Sequence, residues 1–370
     1  MKQARYIMVG GFLGAGKTTA ILKMARLLRS RGQSVGLITN DQSFGLVDTA
    51  MLGSHGFPVQ EITGGCFCCK FNSLVEASRR LSAEAAPDTF IAEPVGSCTD
   101  LKATVDYPLR RLYGGNYRIA PLSVLVDPLR AARILGLERG STFSARVLYV
   151  YQKQLEEAEI IVVNKSDLVP PDRLARLTEA LASRFAQARV WTMSARTGEG
   201  LEAWVDQIAS LEPRTDGAME VDYRAYAEGE ALLGWLNATL RVAAPPGSTL
   251  DGNALLISLA KLLQSRLRME GGQIAHLKMV LSPGGLANDI AVANLVRSDG
   301  EPELSHRLVE SIAAGELIVN LRAEADPEAL RSAALGALEL LRADNVVADV
   351  EHMEHFRPAE PRPTHRLAAV

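Results

Sequence analysis

The first 210 residues of the chain alternate short apolar runs with stretches of helical periodicity. The apolar runs have the length of buried strands, and they lie at 6–9, 34–39, 89–92, 122–126, 160–163 and 189–193. Helical patterns follow most of them, at 17–30, 73–86, 128–136, 144–157, 171–187 and 200–210. Because strands that alternate with helices build parallel sheets, we expect an α/β domain with a doubly wound, mostly parallel sheet.

A turn-rich stretch at 212–217 ends this pattern, and a different pattern follows. Apolar and polar residues alternate from Trp235 to Val242, as in a half-buried strand, and leucines at helical spacing follow at 255–263. Further strands are predicted at 277–281, 290–296 and 317–321, before a helix at 327–341. This order resembles a split βαβ unit, which predicts a smaller α+β domain with an antiparallel sheet.

Two domains are also what the length of the chain favours. The patterns place a P-loop-type α/β domain at 1–212, a linker at 213–220, the α+β domain at 221–355 and an extended tail at 356–370. The tail is rich in proline, and we expect it to be loosely held.

Composition and charge exclude several classes of function. Of the 370 residues, 47% are hydrophobic and 22% are charged, and the formal net charge is −3. This charge gives no electrostatic basis for binding nucleic acid or an anionic membrane, and no apolar run approaches the roughly 18 residues of a membrane span. The start of the sequence leads directly into the first strand, without room for a signal peptide, and the four cysteines do not resemble a disulfide framework. We expect a cytoplasmic protein.

The loop between the first predicted strand and helix carries a phosphate-binding motif. Gly11 is followed after four residues by Gly16, Lys17 and Thr18, which is the spacing of a P-loop. Its glycines let backbone N–H groups point at phosphate oxygens, and the helix N-terminus adds a positive dipole end. Lys17 is assigned to the β- and γ-phosphates and Thr18 to Mg²⁺, within a set that comprises Gly11, Gly14, Ala15, Gly16, Lys17, Thr18 and Thr19. The alternative is an ordinary glycine-rich turn.

Asn164, Lys165 and Asp167 follow the fifth predicted strand, at the edge where open α/β sheets bind ligands. A carboxylate there can accept hydrogen bonds from N1–H and the 2-amino group of guanine, so Asp167 would select GTP over ATP. This motif alone is weak, because polar loops after strands are common. Ser194 and Ala195 after the next strand match the second guanine loop of GTPases, and the combination predicts a GTP site.

Carboxylates after the second and third predicted strands are candidates for the Mg²⁺ and γ-phosphate contacts. Phosphoryl transfer needs a carboxylate that holds Mg²⁺ or its water, and a backbone N–H near the γ-phosphate. Glu93 and Gly96 can supply these groups, and Asp41 is a further candidate for Mg²⁺. Lys17, Glu93 and Gly96 are therefore the predicted catalytic residues. The alternative for Glu93 is a cap for the helix that follows.

Cys66, Cys68 and Cys69 come directly after two glycines. Three thiols this close together in a flexible loop can converge on one soft metal ion, as a regular strand could not. Cys98, two residues beyond Gly96, or the carboxylate of Asp41 is a hypothetical fourth ligand. A redox role is the alternative for the cluster, and burial as a small residue is the alternative for Cys98.

On the stretch from Gly10 to Thr19 and on the motifs around Cys66, Glu93 and Asn164, the chain resembles the CobW-type GTPases. These proteins are relatives of the nickel and urease maturation GTPases and include zinc metallochaperones. The resemblance implies GTP and Mg²⁺ as ligands, and a cysteine motif that binds a transition metal, zinc or a cobalt-like ion. It also implies delivery of this metal to a client metalloprotein or maturation of a metallocofactor. The client, the metal and the oligomeric state, monomer or homodimer, stay open.

The chain departs from the family pattern in two places. Asp41 stands where the family usually has the glutamate of an Asn-Glu-Phe-Gly motif, and the histidine-rich stretch common in the second domain is absent. His352 and His355 would share one face of a helix, but glutamates beside them favour a solvated end over a metal site. The rival hypothesis is a regulatory GTP switch with structural or redox-sensing cysteines and a partner-binding second domain.

Overall fold

The structure, a computed structural model, describes residues 3–40, 52, 55–215, 217–284, 289–343 and 345–370. The chain forms two compact units, of which the first comprises Met1–Gly229 together with Glu360–Val370 and the second comprises Glu230–Ala359. Within the described ranges, none of the helices combines the length and the apolar character needed to cross a membrane.

The described residues of the first unit contain eight strands in one sheet. They are β1 (Ala4–Gly11), β2 (Val35–Asn40), β3 (Val59–Ile62), β4 (Thr89–Glu93), β5 (Tyr117–Ile119), β6 (Ser123–Val126), β7 (Ile160–Val163) and β8 (Arg189–Thr192). The helices are α1 (Lys17–Ser30), α2 (Phe71–Ala85), α3 (Tyr107–Tyr113), α4 (Pro128–Ile134), α5 (Ala145–Glu157), α6 (Pro171–Arg184), α7 (Leu201–Ser210) and α8 (Tyr223–Ala231). A π-helical turn, Lys102–Asp106, precedes α3.

The strands lie in the order β3-β2-β4-β1-β6-β7-β8, every pair is parallel, and β5 pairs with β1. Residues of β2, β4, β6 and β7 are buried along the whole strand, as expected for a parallel sheet covered on both faces. The predicted doubly wound sheet is therefore confirmed, and each of its predicted strands is present. Two short strands, β3 and β5, were not predicted.

The second unit is an antiparallel sheet with two helices. Its elements are β9 (Leu233–Ala243), α9 (Gly252–Met269), β10 (Gln273–Ser282), β11 (Ala291–Leu295), β12 (Glu303–His306), β13 (Ala314–Glu324), α10 (Pro327–Ala343) and β14 (Val347–Phe356). The sheet order is β12-β11-β10-β13-β9-β14, and its core includes Leu240, Leu259 and Leu338. The predicted α+β domain is confirmed, and β9, β10, β11 and β13 correspond to its predicted strands. The two edge strands, β12 and β14, were not predicted.

The end of the chain differs from the expectation in two respects. His352 and His355 lie on strand β14, not on a helix, so a spacing of three places them on opposite faces. The stretch Glu360–Val370, called the 360–370 segment below, is hydrogen-bonded to the first unit instead of being loosely held. This segment contacts Cys68 and Cys69.

Candidate functional site

The predicted phosphate-binding loop, residues 11–18 and called the phosphate loop below, joins β1 to α1 at the carboxyl edge of the parallel sheet. Gly11 has a φ of 131° and Gly16 has a φ of 86°. A Cβ at Gly11 would lie 2.3 Å from the Leu125 carbonyl oxygen, and a Cβ at Gly16 would lie 2.5 Å from Asn164 Nδ2. Both positions therefore need glycine, because backbone conformation and space each exclude a side chain.

Lys17, Thr18 and Glu93 meet at the start of α1, and each is only 8% exposed. Lys17 Nζ donates a hydrogen bond to the Gly11 carbonyl oxygen at 3.0 Å and lies 4.0 Å from Glu93 Oε1. The Thr18 hydroxyl donates to Glu93 Oε1 at 3.0 Å. A hydroxyl beside a carboxylate supplies the hard oxygen ligands that Mg²⁺ takes. The structure thus brings three predicted site residues together, while Asp41 lies outside the described residues.

Gly96 lies against the phosphate loop, since a Cβ there would be 2.8 Å from Leu13 Cδ2 and 3.1 Å from the Leu13 nitrogen. The loop that contains it, residues 93–100, is buried throughout. Gln154 Nε2 on α5 donates to the carbonyl oxygens of Gly96 and Cys98, at 3.0 and 2.8 Å. The 93–100 loop is therefore fixed to α5 on one side and to the phosphate loop on the other.

A second residue of α5, Glu157, also holds this loop. The Thr99 hydroxyl and the Lys102 amide both lie 3.2 Å from its carboxyl oxygens. Burial, reinforced by the charge of Asp100, raises the pKa of Glu157 to about 8.

Asn164 connects the phosphate loop to the second predicted guanine loop. Its Nδ2 donates to the Ala15 carbonyl oxygen at 2.8 Å, and its Oδ1 accepts from the Ala195 amide at 3.0 Å. Lys165 Nζ donates to the Gly14 carbonyl oxygen at 2.7 Å. These contacts place the residues predicted from two separate motifs in one continuous network.

Asp167 follows β7 in a short 3₁₀ turn, Ser166–Leu168. Its side chain is 19% exposed and lies 3.8 Å from Arg196, whose own side chain is 59% exposed. An ion pair of this kind contributes at most about 1 kcal/mol, so it does not prevent the carboxylate from accepting other donors. Ser194 is buried, and its hydroxyl accepts from the Thr197 amide at 3.1 Å, which fixes the second loop beside it.

Asp127 and Arg130 contact Lys165 and the phosphate loop, and neither was predicted as a site residue. Asp127 caps α4 by accepting from the Arg130 amide at 3.0 Å, and it pairs with Lys165 at 2.9 Å. Burial opposes its ionisation, but the charges of Lys165 and Arg130 outweigh burial and lower the pKa of Asp127 to about 2. The Arg130 guanidinium contacts the Leu13 carbonyl oxygen and lies 5.3 Å from the ring centroid of Phe12. The Asp-Pro pair that follows the strand predicts the start of a helix. It does not predict these contacts.

The cysteine loop, residues 64–69, brings three thiols together. The sulfur of Cys66 lies 2.8 Å from that of Cys68 and 3.4 Å from that of Cys69, and the Cys68 and Cys69 sulfurs are 3.7 Å apart. All four cysteines of the chain are free, and Cys66 and Cys68 are buried. Among the described residues, these three thiols form the group of side chains suited to one metal ion.

Cys98 in the 93–100 loop also contacts this group. Hydrogen bonds from Cys68, Cys69 and Cys98, in order of size, hold the pKa of Cys66 well below its usual range. The hydrogen bond to Cys66 raises the pKa of Cys69 to about 11, and the same interaction raises that of Cys68. Four neighbouring thiols form a set of donors that suits a soft metal ion, which binds them with release of their protons.

Asn40, the last residue of β2, also holds the cysteine loop in place. Its Nδ2 donates to the carbonyl oxygens of Ile62 and Gly65, at 3.0 and 2.7 Å. Gly65 directly precedes the cysteines and has a φ of 148°. The cysteine loop is thus fixed to the carboxyl end of β2, at the same edge of the sheet as the phosphate loop.

Comparison with known proteins identifies a family for the first unit. Residues 5–192 match the family described as CobW/HypB/UreG, nucleotide-binding domain. The zinc chaperone YeiR of Escherichia coli K12 is 28% identical over 166 residues, which are 45% of this chain and 47% of that protein. The zinc chaperone CobW of a Sinorhizobium species is 26% identical over 213 residues, which are 52% and 59% of the two chains. The chain therefore spans about half the length of these curated relatives.

Solved structures resemble the chain more distantly. HypB from Helicobacter pylori in complex with nickel has a TM-score of 0.42 and 18% identity, and the match covers 56% of this chain and 86% of that one. Zn(II)-bound YjiA GTPase from E. coli has a TM-score of 0.35 and 16% identity, over 91% and 99% of the two chains. At such scores no site geometry is transferred from them.

Proposed function

The chain belongs to the CobW/HypB/UreG family of nucleotide-binding proteins, and on this premise we propose that it is a GTP hydrolase with a metal ion as its cargo. In this proposal the cysteine loop holds a transition metal, with zinc as the first candidate. Hydrolysis of GTP controls the transfer of this metal to a client metalloprotein or metallocofactor.

The observation that carries the proposal is the course of the 93–100 loop. At its start, Glu93 accepts a hydrogen bond from Thr18 of the phosphate loop. Five residues later, Cys98 hydrogen-bonds to Cys66 of the cysteine cluster. A γ-phosphate that repositions Glu93 would therefore act on a segment that also contacts the cluster.

In the nucleotide half of the site, the loop amides and Lys17 would bind the phosphates. Thr18 and Glu93 would hold Mg²⁺, which neutralises charge on the β- and γ-phosphate oxygens when it is bound. The Gly96 amide would contact the γ-phosphate, and Asp167 would accept from guanine beside Asn164, Ser194 and Ala195. The hydrogen bonds from Asn164 and Lys165 to the phosphate loop support this assignment, because they hold the proposed base and phosphate contacts close together.

In the metal half, Cys66, Cys68 and Cys69 would be thiolate ligands of the cargo. Soft thiolates favour zinc and similar ions, and the curated relatives are named as zinc chaperones, which supports the same cargo here. Zinc is usually four-coordinate, so a fourth ligand is needed. Among the described residues, Cys98 is the candidate for this fourth ligand, since its thiol contacts Cys66.

Replacing Asp167 with asparagine is expected to weaken GTP binding roughly 30- to 150-fold, which corresponds to about 2–3 kcal/mol. The amide no longer accepts from both guanine donors, but it can donate to the extra carbonyl of xanthine, so XTP should bind better than GTP. The measurement is a titration of the variant with each nucleotide. Asp172→Asn, which neutralises an exposed carboxylate at the start of α6, is the matched control. Equal affinity of wild-type protein for ATP and GTP would contradict the assignment of Asp167.

The experiment that tests the proposed function combines two assays on one preparation. Protein purified under reducing conditions is analysed for bound metal by elemental analysis and for GTP hydrolysis in the presence of Mg²⁺. Stoichiometric zinc together with hydrolysis supports the proposal. Hydrolysis in a protein that neither retains nor takes up a transition metal would support a regulatory switch with redox-sensing cysteines instead.

A further inference from the structure

The cysteine loop is contacted by residues almost 300 positions further along the chain. In the 360–370 segment, the Arg362 amide donates to Cys69 Sγ at 3.1 Å. The Thr364 amide donates to the Cys68 carbonyl oxygen at 2.9 Å, and the Thr364 hydroxyl donates to the Cys69 carbonyl oxygen at 3.1 Å. Two consecutive cysteines thus have both carbonyls and one sulfur bonded to a single short stretch.

The composition of this stretch restricts which group can donate to the sulfur. Arg362 lies between Pro361 and Pro363, which have no backbone N–H. The Arg362 amide is therefore the one backbone donor in these three residues, and Pro363, which follows it, favours an extended backbone at Arg362. Its side chain points elsewhere, since the guanidinium is 84% exposed and lies 3.2 Å from Glu360.

A buried carboxylate, that of Asp100, also holds the 360–370 segment in place. Arg366 Nε donates to Asp100 Oδ2 at 2.8 Å, and the Tyr223 hydroxyl donates to the same oxygen at 2.6 Å. Asp100 is 1% exposed and ends the 93–100 loop, two residues after Cys98. The Leu367 amide donates to the Ala103 carbonyl oxygen at 2.9 Å, which extends the anchored stretch. A charge-assisted hydrogen bond of this kind is roughly twice as strong as a neutral one, so the pair helps to hold the segment in place.

We propose, on the premise that the cysteine loop is the metal site, that the 360–370 segment contributes to metal binding at this site. Arg362 is a positioning residue whose backbone amide stabilises the Cys69 thiolate and fixes its direction. A site with three thiolates carries more negative charge than a divalent ion supplies positive charge, and an N–H donor to sulfur reduces this excess. Thr364 fixes the backbone that carries the ligands, and the Arg366–Asp100 pair keeps the segment in place.

The test compares two substitutions at one position in the full-length protein. Arg362→Pro removes the amide donor and, between two prolines, keeps an extended backbone; Arg362→Ala removes the side chain and keeps the donor. Zinc affinity is measured by competition with a chromophoric chelator. We expect a roughly 10- to 100-fold loss in Arg362→Pro, the range for partners that orient metal ligands, and wild-type affinity in Arg362→Ala.

Two further measurements distinguish this role from a structural one. Without metal, GTP affinity should be equal in both variants and wild type, and amide hydrogen exchange should show Thr364 and Leu367 still protected in Arg362→Pro. Wild-type zinc affinity in Arg362→Pro, or an equal loss in Arg362→Ala, would overturn the proposal. So would an affinity loss accompanied by unprotected amides, because displacement of the whole segment would then account for it. Failure of wild-type protein to bind zinc at all would instead remove the proposed function.

Discussion

Replacing Lys17 with alanine is expected to lower GTP turnover by roughly 10²- to 10³-fold, the range measured when one positioned charge or donor is removed from a transition state. The ammonium lies inside the phosphate loop, bonded to the Gly11 carbonyl and 4.0 Å from Glu93. Because charge builds up on the transferred phosphoryl group, this cation stabilises the transition state more than the ground state. Turnover is measured by phosphate release at saturating GTP and Mg²⁺.

The same substitution is expected to leave the fold largely intact, since it removes one hydrogen bond, worth about 1 kcal/mol. Arg26→Ala, which removes a positive charge from the exposed face of the same helix, is the matched control and should hydrolyse GTP normally. Hydrolysis by Lys17→Ala at the control rate would remove the basis for assigning the phosphate loop.

Replacing Cys66 with serine is expected to lower zinc affinity by roughly two orders of magnitude or more. Structural zinc sites contribute about 10–16 kcal/mol in total, so one of four ligands accounts for several kcal/mol. Cys66 is the thiol with the most neighbours of its own kind, since the sulfurs of Cys68 and Cys69 lie 2.8 and 3.4 Å away and Cys98 hydrogen-bonds to it. A serine hydroxyl stays protonated and is a hard, poor ligand for zinc.

Cys98→Ser is the informative comparison for this experiment. Cys98 is buried, as Cys66 is, but it does not belong to the group of three thiols that lie close together. We expect it to lose less affinity than Cys66→Ser, and thermal melting without metal reports whether either variant is destabilised. Wild-type zinc affinity in Cys66→Ser would show that the metal is held elsewhere.

The predicted elements are those whose pattern is set by burial. Strands such as β6 and β7 are buried over their whole length and appear in the sequence as unbroken apolar runs. The strands that were missed lack this pattern. β5 is three residues long, and half of the residues of β14 are charged or polar and lie exposed or half-buried. Helix α3 was missed because Pro108 interrupts its pattern, although proline is tolerated in the first turn of a helix.

Contacts within motifs were predictable, and contacts between distant segments were not. Lys17, Thr18 and the cysteines belong to short motifs whose spacing has a direct chemical meaning. The Lys165–Asp127 pair and the Arg362–Cys69 hydrogen bond join residues that no local pattern relates. The second of these joins residues 293 positions apart, and its donor is a backbone amide, which leaves no signature in the type of side chain.

The measurement that tests the central claim most directly is a competitive zinc titration of the protein without nucleotide, with GDP and with a non-hydrolysable GTP analogue. Because the 93–100 loop contacts both Thr18 and Cys66, the account predicts zinc affinities that differ between the nucleotide states. A typical coupling of about 1–3 kcal/mol corresponds to a 5- to 150-fold difference, and zinc must change the affinity for the analogue by the same factor. Identical zinc affinities in all three states would contradict it.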